Sequence, residues 1–259
     1  MEKKFLSLSL LSLLFIFSGV TYSEEQIPTD VFGSPPLIGT VKISPSGEKI
    51  AMYATLQNGD SAILVRDLNE NKPLRPIATS DNRTLKLLSF NWFNDDIILA
   101  SAWLAADFYG TKLDNTRLLR INVDGTGFEP LFKKRHFKDL PWQPPQQTGI
   151  IDWLEDDDDH ILVSVRVSNM RSPDVVKVNV KKNTIKIIKK GVAGTSGWMT
   201  DEYGEVRIGY TYDRNRSAGS IIFKDHGSTK WRTIWKFTCL LYTSDAADEG
   251  LGVDLGGRR

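Results

Sequence analysis

Cysteine is nearly absent from this chain of 259 residues: Cys239 is the only one, so a secreted scaffold held by internal disulfides is excluded. Histidine is scarce too. His136, His160 and His226 are scattered without the short spacing of zinc ligands, and no cysteine pair accompanies them, so no metal site is expected. Neither sign of charge dominates, since 33 Lys and Arg stand against 32 Asp and Glu for a net +1. That balance gives no global field to draw nucleic acid or an anionic membrane. Helical periodicity is almost missing, and no apolar run reaches the roughly twenty residues a spanning helix needs.

What is present begins with a short apolar run, Phe5 to Phe17, behind Lys3 and Lys4 and ahead of Gly19 and Thr21-Tyr22-Ser23. That order reads as a secretory signal peptide over residues 1–23, which predicts a periplasmic or secreted protein with no membrane association beyond export. An uncleaved anchor is the alternative, and the length of the run argues against it. At the other end, residues 239–259 abandon the alternation before them and have no period of their own. One back-translation of Cys239 to Glu249 resembles the adapter that transposase-based DNA library preparation attaches. Val253 to Arg259 can be written as the sequencing-primer end of the same adapter. The tail is therefore expected to be non-native, with the native reading frame interrupted near Thr238.

Residues 24–238 carry many short runs in which apolar and polar side chains alternate, bounded by Gly, Pro, Asn and Asp. This is the pattern of antiparallel strands. The runs come in sets. In the first, Ile43-Ser44-Pro45-Ser46-Gly47-Glu48-Lys49-Ile50 gives a strand end, a tight turn and a second strand, with further strands at Ser61–Asp67 and near Leu74–Ala78. Similar sets follow Trp92, Trp153 and Trp198, about 47 to 61 residues apart, the range of four-stranded propeller blades. The fold expected is all-β, a partial β-propeller of about four four-stranded antiparallel blades at residues 40–80, 86–133, 148–190 and 195–238. A pair of sandwiches is the alternative and explains the spacing less well. Because Trp92, Trp153 and Trp198 recur at about the same place before a turn, they are expected to pack between blades rather than to form a ligand platform.

The stretch SPSGEKIAM resembles the S-P-D-G-x-x-I-A strand turn in the propellers of prolyl-oligopeptidase-family serine peptidases and of TolB-type periplasmic proteins. FNWFNDDIILAS resembles the second-blade W-x-x-D-x-x-L variant of bacterial exported peptidases, and TRLLRINVDGTGFEPL resembles an outer-strand pattern of those propellers. Together these resemblances span about residues 32 to 237. In the peptidase family the propeller restricts which peptides reach a following α/β-hydrolase domain with a Ser, Asp and His triad. The resemblance therefore implies a peptide substrate and a partner hydrolase domain for the full-length parent. That hydrolase domain would contain G-x-S-x-G. No such motif occurs here, and the nearest approach, Gly194-Thr195-Ser196-Gly197, reads as a turn between blades. The resemblance assigns no catalytic residue, no cofactor and no metal ligand. Its alternative implication is a non-catalytic TolB-like propeller that binds protein partners.

Three other features were candidates for binding. Glu155 to Asp159 with His160 could ligate a hard cation, yet the run lacks the alternation and the glycine of an EF-hand loop and reads as a solvated turn. Lys133-Lys134-Arg135-His136 could hold an anion but reads as an exposed connection between blades. Trp142, in the proline-rich loop Leu140 to Pro145, is the aromatic expected on a binding surface if any is.

Overall fold

In a computed structural model, the described residues are Gly33 and 36–238, apart from 109, 110, 113 and 214, with no side-chain description over 107–113. The expected signal peptide and the 239–259 tail, with Cys239, lie outside them. The chain divides into Met1–Pro35 and Pro36–Arg259, and every strand below belongs to the second unit. Among the described residues no helix is long and apolar enough to cross a membrane.

The first sheet contains β1 (Ile38–Ile43), β2 (Lys49–Thr55), β3 (Ser61–Asp67) and β4 (Arg75–Ser80), hydrogen-bonded in chain order. The second contains β5 (Leu85–Asn94) and β6 (Ile97–Leu104). A separate two-stranded ribbon follows, β7 (Asp107–Phe108) with β8 (Thr111–Lys112), before the chain returns to the second sheet as β9 (Asn115–Asn122) and β10 (Glu129–Pro130). One turn of 3₁₀ helix, Lys134–Phe137, leads towards the third sheet: β11 (Gly149–Asp152), β12 (His160–Val165), β13 (Asp174–Asn179) and β14 (Thr184–Lys189). The fourth comprises β15 (Thr195–Thr200), β16 (Val206–Asp213), β17 (Ala218–Lys224) and β18 (Trp231–Thr238). Four consecutive four-stranded antiparallel sheets form a partial β-propeller. The sandwich alternative fails, since each sheet is completed by neighbouring strands before the next begins.

Local chemistry explains the turns. Between β1 and β2 the Ser44 carbonyl accepts from the Gly47 amide at 2.9 Å and the Ser44 hydroxyl accepts from the Lys49 amide at 3.2 Å. Gly47 sits at φ +80°, a conformation that side chains with a Cβ resist. The outer strand of the second sheet is only two residues long. Pro130 lacks an amide hydrogen and so is tolerated at an edge but cannot extend a ladder.

Runs of adjacent apolar residues such as Ile97-Ile98-Leu99 and Ile161-Leu162-Val163 give the central sheets two apolar faces, and burying them requires a neighbour on each side. Three clusters do this. Ala51, Ile63 and Val65 of the first sheet meet Phe90, Trp92, Ile98 and Ile121 of the second. Leu99 and Leu118, on the opposite face of the second, meet Ile161, Val163, Val176 and Val178 of the third. Leu162 and Val175 then meet Trp198 and Val206 of the fourth.

All three recurring tryptophans pack between blades, as expected. Trp92 and Trp198 are buried in the first and third clusters, and their indole N–H groups donate to the Lys42 carbonyl at 3.0 Å and the Pro173 carbonyl at 2.8 Å. Each bond reaches into the preceding sheet. Trp153 packs against the middle cluster but lies one residue beyond β11, where Leu154 takes φ +51° and ends the pairing. Trp231 joins Trp198 edge-on at 5.5 Å between centroids.

Candidate functional site

The turns joining first to second and third to fourth strands lie at one end of each sheet. At that end, between the third and fourth sheets, lies a half-open cavity of about 630 Å³. Its walls hold six carboxylates, those of Asp152, Glu155, Asp156, Asp157, Asp201 and Glu202, against one cation, Lys177. Trp153, Leu154 and Tyr203 supply apolar surface. Two sequence neighbourhoods about 45 residues apart contribute, and stacking of successive blades brings their equivalent turns together. Carboxylates beside aromatic faces suit a cationic group, which gains from ion pairing and from the ring quadrupoles.

The acidic run is more ordered than a solvated turn requires. Asp157 accepts from Lys177 at 2.6 Å and lies 2.7 Å from His160 Nδ1, and Asp159 pairs with Lys181 at 2.7 Å. The Lys177 ammonium foremost, then His160, hold the Asp157 carboxyl well below the usual carboxylate range. Glu155, Asp156 and Asp158 make no ion pair within 4.0 Å among the described residues, so the run divides into an anchored half and a half with its charge open.

The basic run is likewise divided. Arg135 donates to the Asn183 carbonyl at 2.7 Å and to its side-chain oxygen at 3.0 Å, tying the connection to the β13–β14 turn. Lys133 pairs with Glu129 at 2.5 Å, and burial holds His136 below its ordinary pKa. Ser196, in the near-match to a nucleophile turn, is an ordinary residue of β15, its hydroxyl donating to the Tyr210 carbonyl at 3.2 Å. Trp142 is exposed, as its loop position suggested.

One grouping escaped the sequence, because it depends on strand register. Asp201, Glu205 and His226 each present a ligand atom within 4.8 Å of the others. Two cations already occupy the carboxylates: Arg207 lies 2.9 Å from Asp201 and Lys224 lies 2.5 Å from Glu205. The Lys224 contact, followed by smaller effects, lowers the Glu205 pKa. A metal ion would have to displace both, so the grouping fits an ion-pair network better than a metal centre.

No family model matches the chain, and no curated protein matches it. Solved structures do. A puromycin-hydrolyzing peptidase from Mycobacterium tuberculosis is 12% identical with a TM-score of 0.44, over 77% of this chain and 29% of the peptidase. An acylaminoacyl peptidase from Pyrococcus horikoshii is 16% identical with a TM-score of 0.45, over 76% of this chain and 32% of that one. A putative TolB from Agrobacterium tumefaciens is 14% identical with a TM-score of 0.38, over 78% and 66%. The chain thus matches about a third or less of either peptidase and about two thirds of the TolB protein, and the likeness is confined to the strand architecture already described.

Proposed function

We propose that this chain is the substrate-gating propeller portion of an exported prolyl-oligopeptidase-like serine peptidase, whose catalytic α/β-hydrolase domain lies elsewhere in the parent protein. The observation that carries this reading is the run of four blades whose turns bear the SPSGEKIAM and FNWFNDDIILAS motifs. The acidic cavity between the third and fourth blades supports a role in handling peptides, because its open carboxylates favour segments bearing Lys or Arg. The chain itself then binds and admits, and its partner domain cleaves. Reading the source gene downstream of the codon for Thr238 tests this. A G-x-S-x-G motif followed by Asp and His is expected; an early stop codon contradicts it.

A second reading is a TolB-like propeller that binds a protein partner without cleaving it. The same cavity favours it, since Glu155, Asp156 and Glu202 keep their charge open beside Trp153 and Tyr203, a recognition surface that needs no nucleophile nearby. The stop codon that would defeat the first reading supports the second.

A further inference from the structure

The end of the sheets that carries the acidic cavity also carries a cavity of the opposite sign. It measures about 500 Å³ and lies where the first three sheets meet. Lys49 and Arg75, the first residues of β2 and β4, enter it from the first sheet, Arg120 of β9 from the second, and Lys181 of the β13–β14 turn from the third. Against these four cations its walls set two carboxylates, those of Asp96 and Asp124. The two cavities flank the β11–β12 turn, whose Asp159 is paired with Lys181 of the cationic cavity and whose Asp157 is paired with Lys177 of the acidic one.

Ordinary pairing accounts for part of the positive charge. Lys49 lies 3.6 Å from Asp96, and Lys181 lies 2.7 Å from Asp159. The two arginines differ. Arg75 donates to the Val123 carbonyl at 2.5 Å and meets no carboxylate within 4.0 Å among the described residues. Arg120 donates to the Lys181 carbonyl at 3.3 Å and to the Asn122 side-chain oxygen at 3.1 Å. Glu129 stands 3.7 Å from Arg120 but is already bonded to Lys133 at 2.5 Å. Neutral oxygens therefore hold both guanidiniums in place without cancelling their charge. A guanidinium that the fold has already ordered is prepared to bind a carboxylate.

We infer that the cationic cavity takes a carboxylate of the same peptide segment whose Lys or Arg enters the acidic cavity, so that this end of the propeller selects segments bearing both signs of charge. The inference deepens the peptide-handling reading and rests on it. A carboxylate suits the cavity better than a phosphate group, because Asp96 and Asp124 repel a second negative charge. An Asp or Glu side chain and a chain terminus present the same pair of oxygens to a guanidinium. Arg75 and Arg120 also stitch one blade to the next, but stitching alone would not make binding depend on the charge of a ligand.

Fluorescence anisotropy of the full chain with labelled peptides tests this. Each peptide has Lys-Lys at one end and a Gly-Ser spacer of graded length. The other end is Glu-Glu with an amidated terminus, Gln-Gln with a free carboxylate, or, as control, Gln-Gln amidated. At the best spacer a peptide with a carboxylate is expected to bind at least about fivefold tighter than the control. The first two peptides assign that carboxylate to a side chain or to the terminus. Arg75→Gln is expected to erase the advantage and to leave the control's affinity unchanged, which also shows that the variant is folded. Lys181→Gln, at a side chain 48% exposed, is expected to reduce the advantage and serves should Arg75→Gln not fold. Binding of the control with no gain from either carboxylate at any spacer, or with a gain that survives both substitutions, overturns the inference and leaves the peptide-handling reading standing. If no peptide of the set binds, both fall.

Discussion

Asp157 and Asp174 show how differently one residue type can serve at the scale of the single side chain. Asp157 is partly exposed and held ionised by Lys177 and His160. Its folded pKa lies below the unfolded value near 4. The stability it contributes is therefore complete above that pH and is lost as pH falls towards the depressed value. Asp157→Asn should cost about 0.2–1 kcal/mol at neutral pH, the range for exposed pairs. It should also flatten the acid side of a stability profile measured by denaturant titration, and an unchanged slope would contradict this. Asp174 is wholly buried and accepts from the Val167, Ser168 and Gly191 amides and from the Ser168 hydroxyl, at 2.7–3.0 Å. Asp174→Ala leaves those donors stranded and is expected to destabilise by roughly 3 kcal/mol or more, read as a fall in urea midpoint.

Strands and turns were the part most legible in the sequence. Ser44, Pro45 and Gly47 dictate their turn by local chemistry, and the unbroken apolar run Ile50-Ala51-Met52 behind it marks a strand whatever its neighbours. What the sequence left hidden depends on register between distant strands. Trp231 on β18 meets Trp198 on β15 because β15 to β18 lie side by side in one sheet, and Asp201 meets His226 because β16 pairs with both β15 and β17; neither pair has a spacing that announces it. Gly209 is a case in point. A Cβ there would lie 2.7 Å from the Trp198 ring and 2.9 Å from Ile222, so the glycine makes room for the indole on β16. Gly209→Val is expected to destabilise the chain by roughly 1–3 kcal/mol through overpacking. Trp198→Ala should cost more, about 3–5 kcal/mol, because it opens a cavity and removes the bond to Pro173. Thermal melts of the two variants should rank in that order.

At the scale of the whole molecule, the blades stabilise one another by contact with nearest neighbours. Among the described residues, the second and third sheets each contribute to two of the three clusters, and the first and fourth to one. Local opening should follow that gradient, since amides open most readily where few buried contacts hold them. The peptidase reading predicts that the chain, lacking G-x-S-x-G, is not labelled by a serine-directed phosphonate; labelling would show a nucleophile where none is assigned. The stack itself is tested most directly by amide hydrogen exchange on the full chain. Slowest exchange is expected in β6, β9, β12 and β13 and fastest in β1 and β18, whereas uniform protection, or protection greatest at the two end sheets, would contradict a stack of four blades.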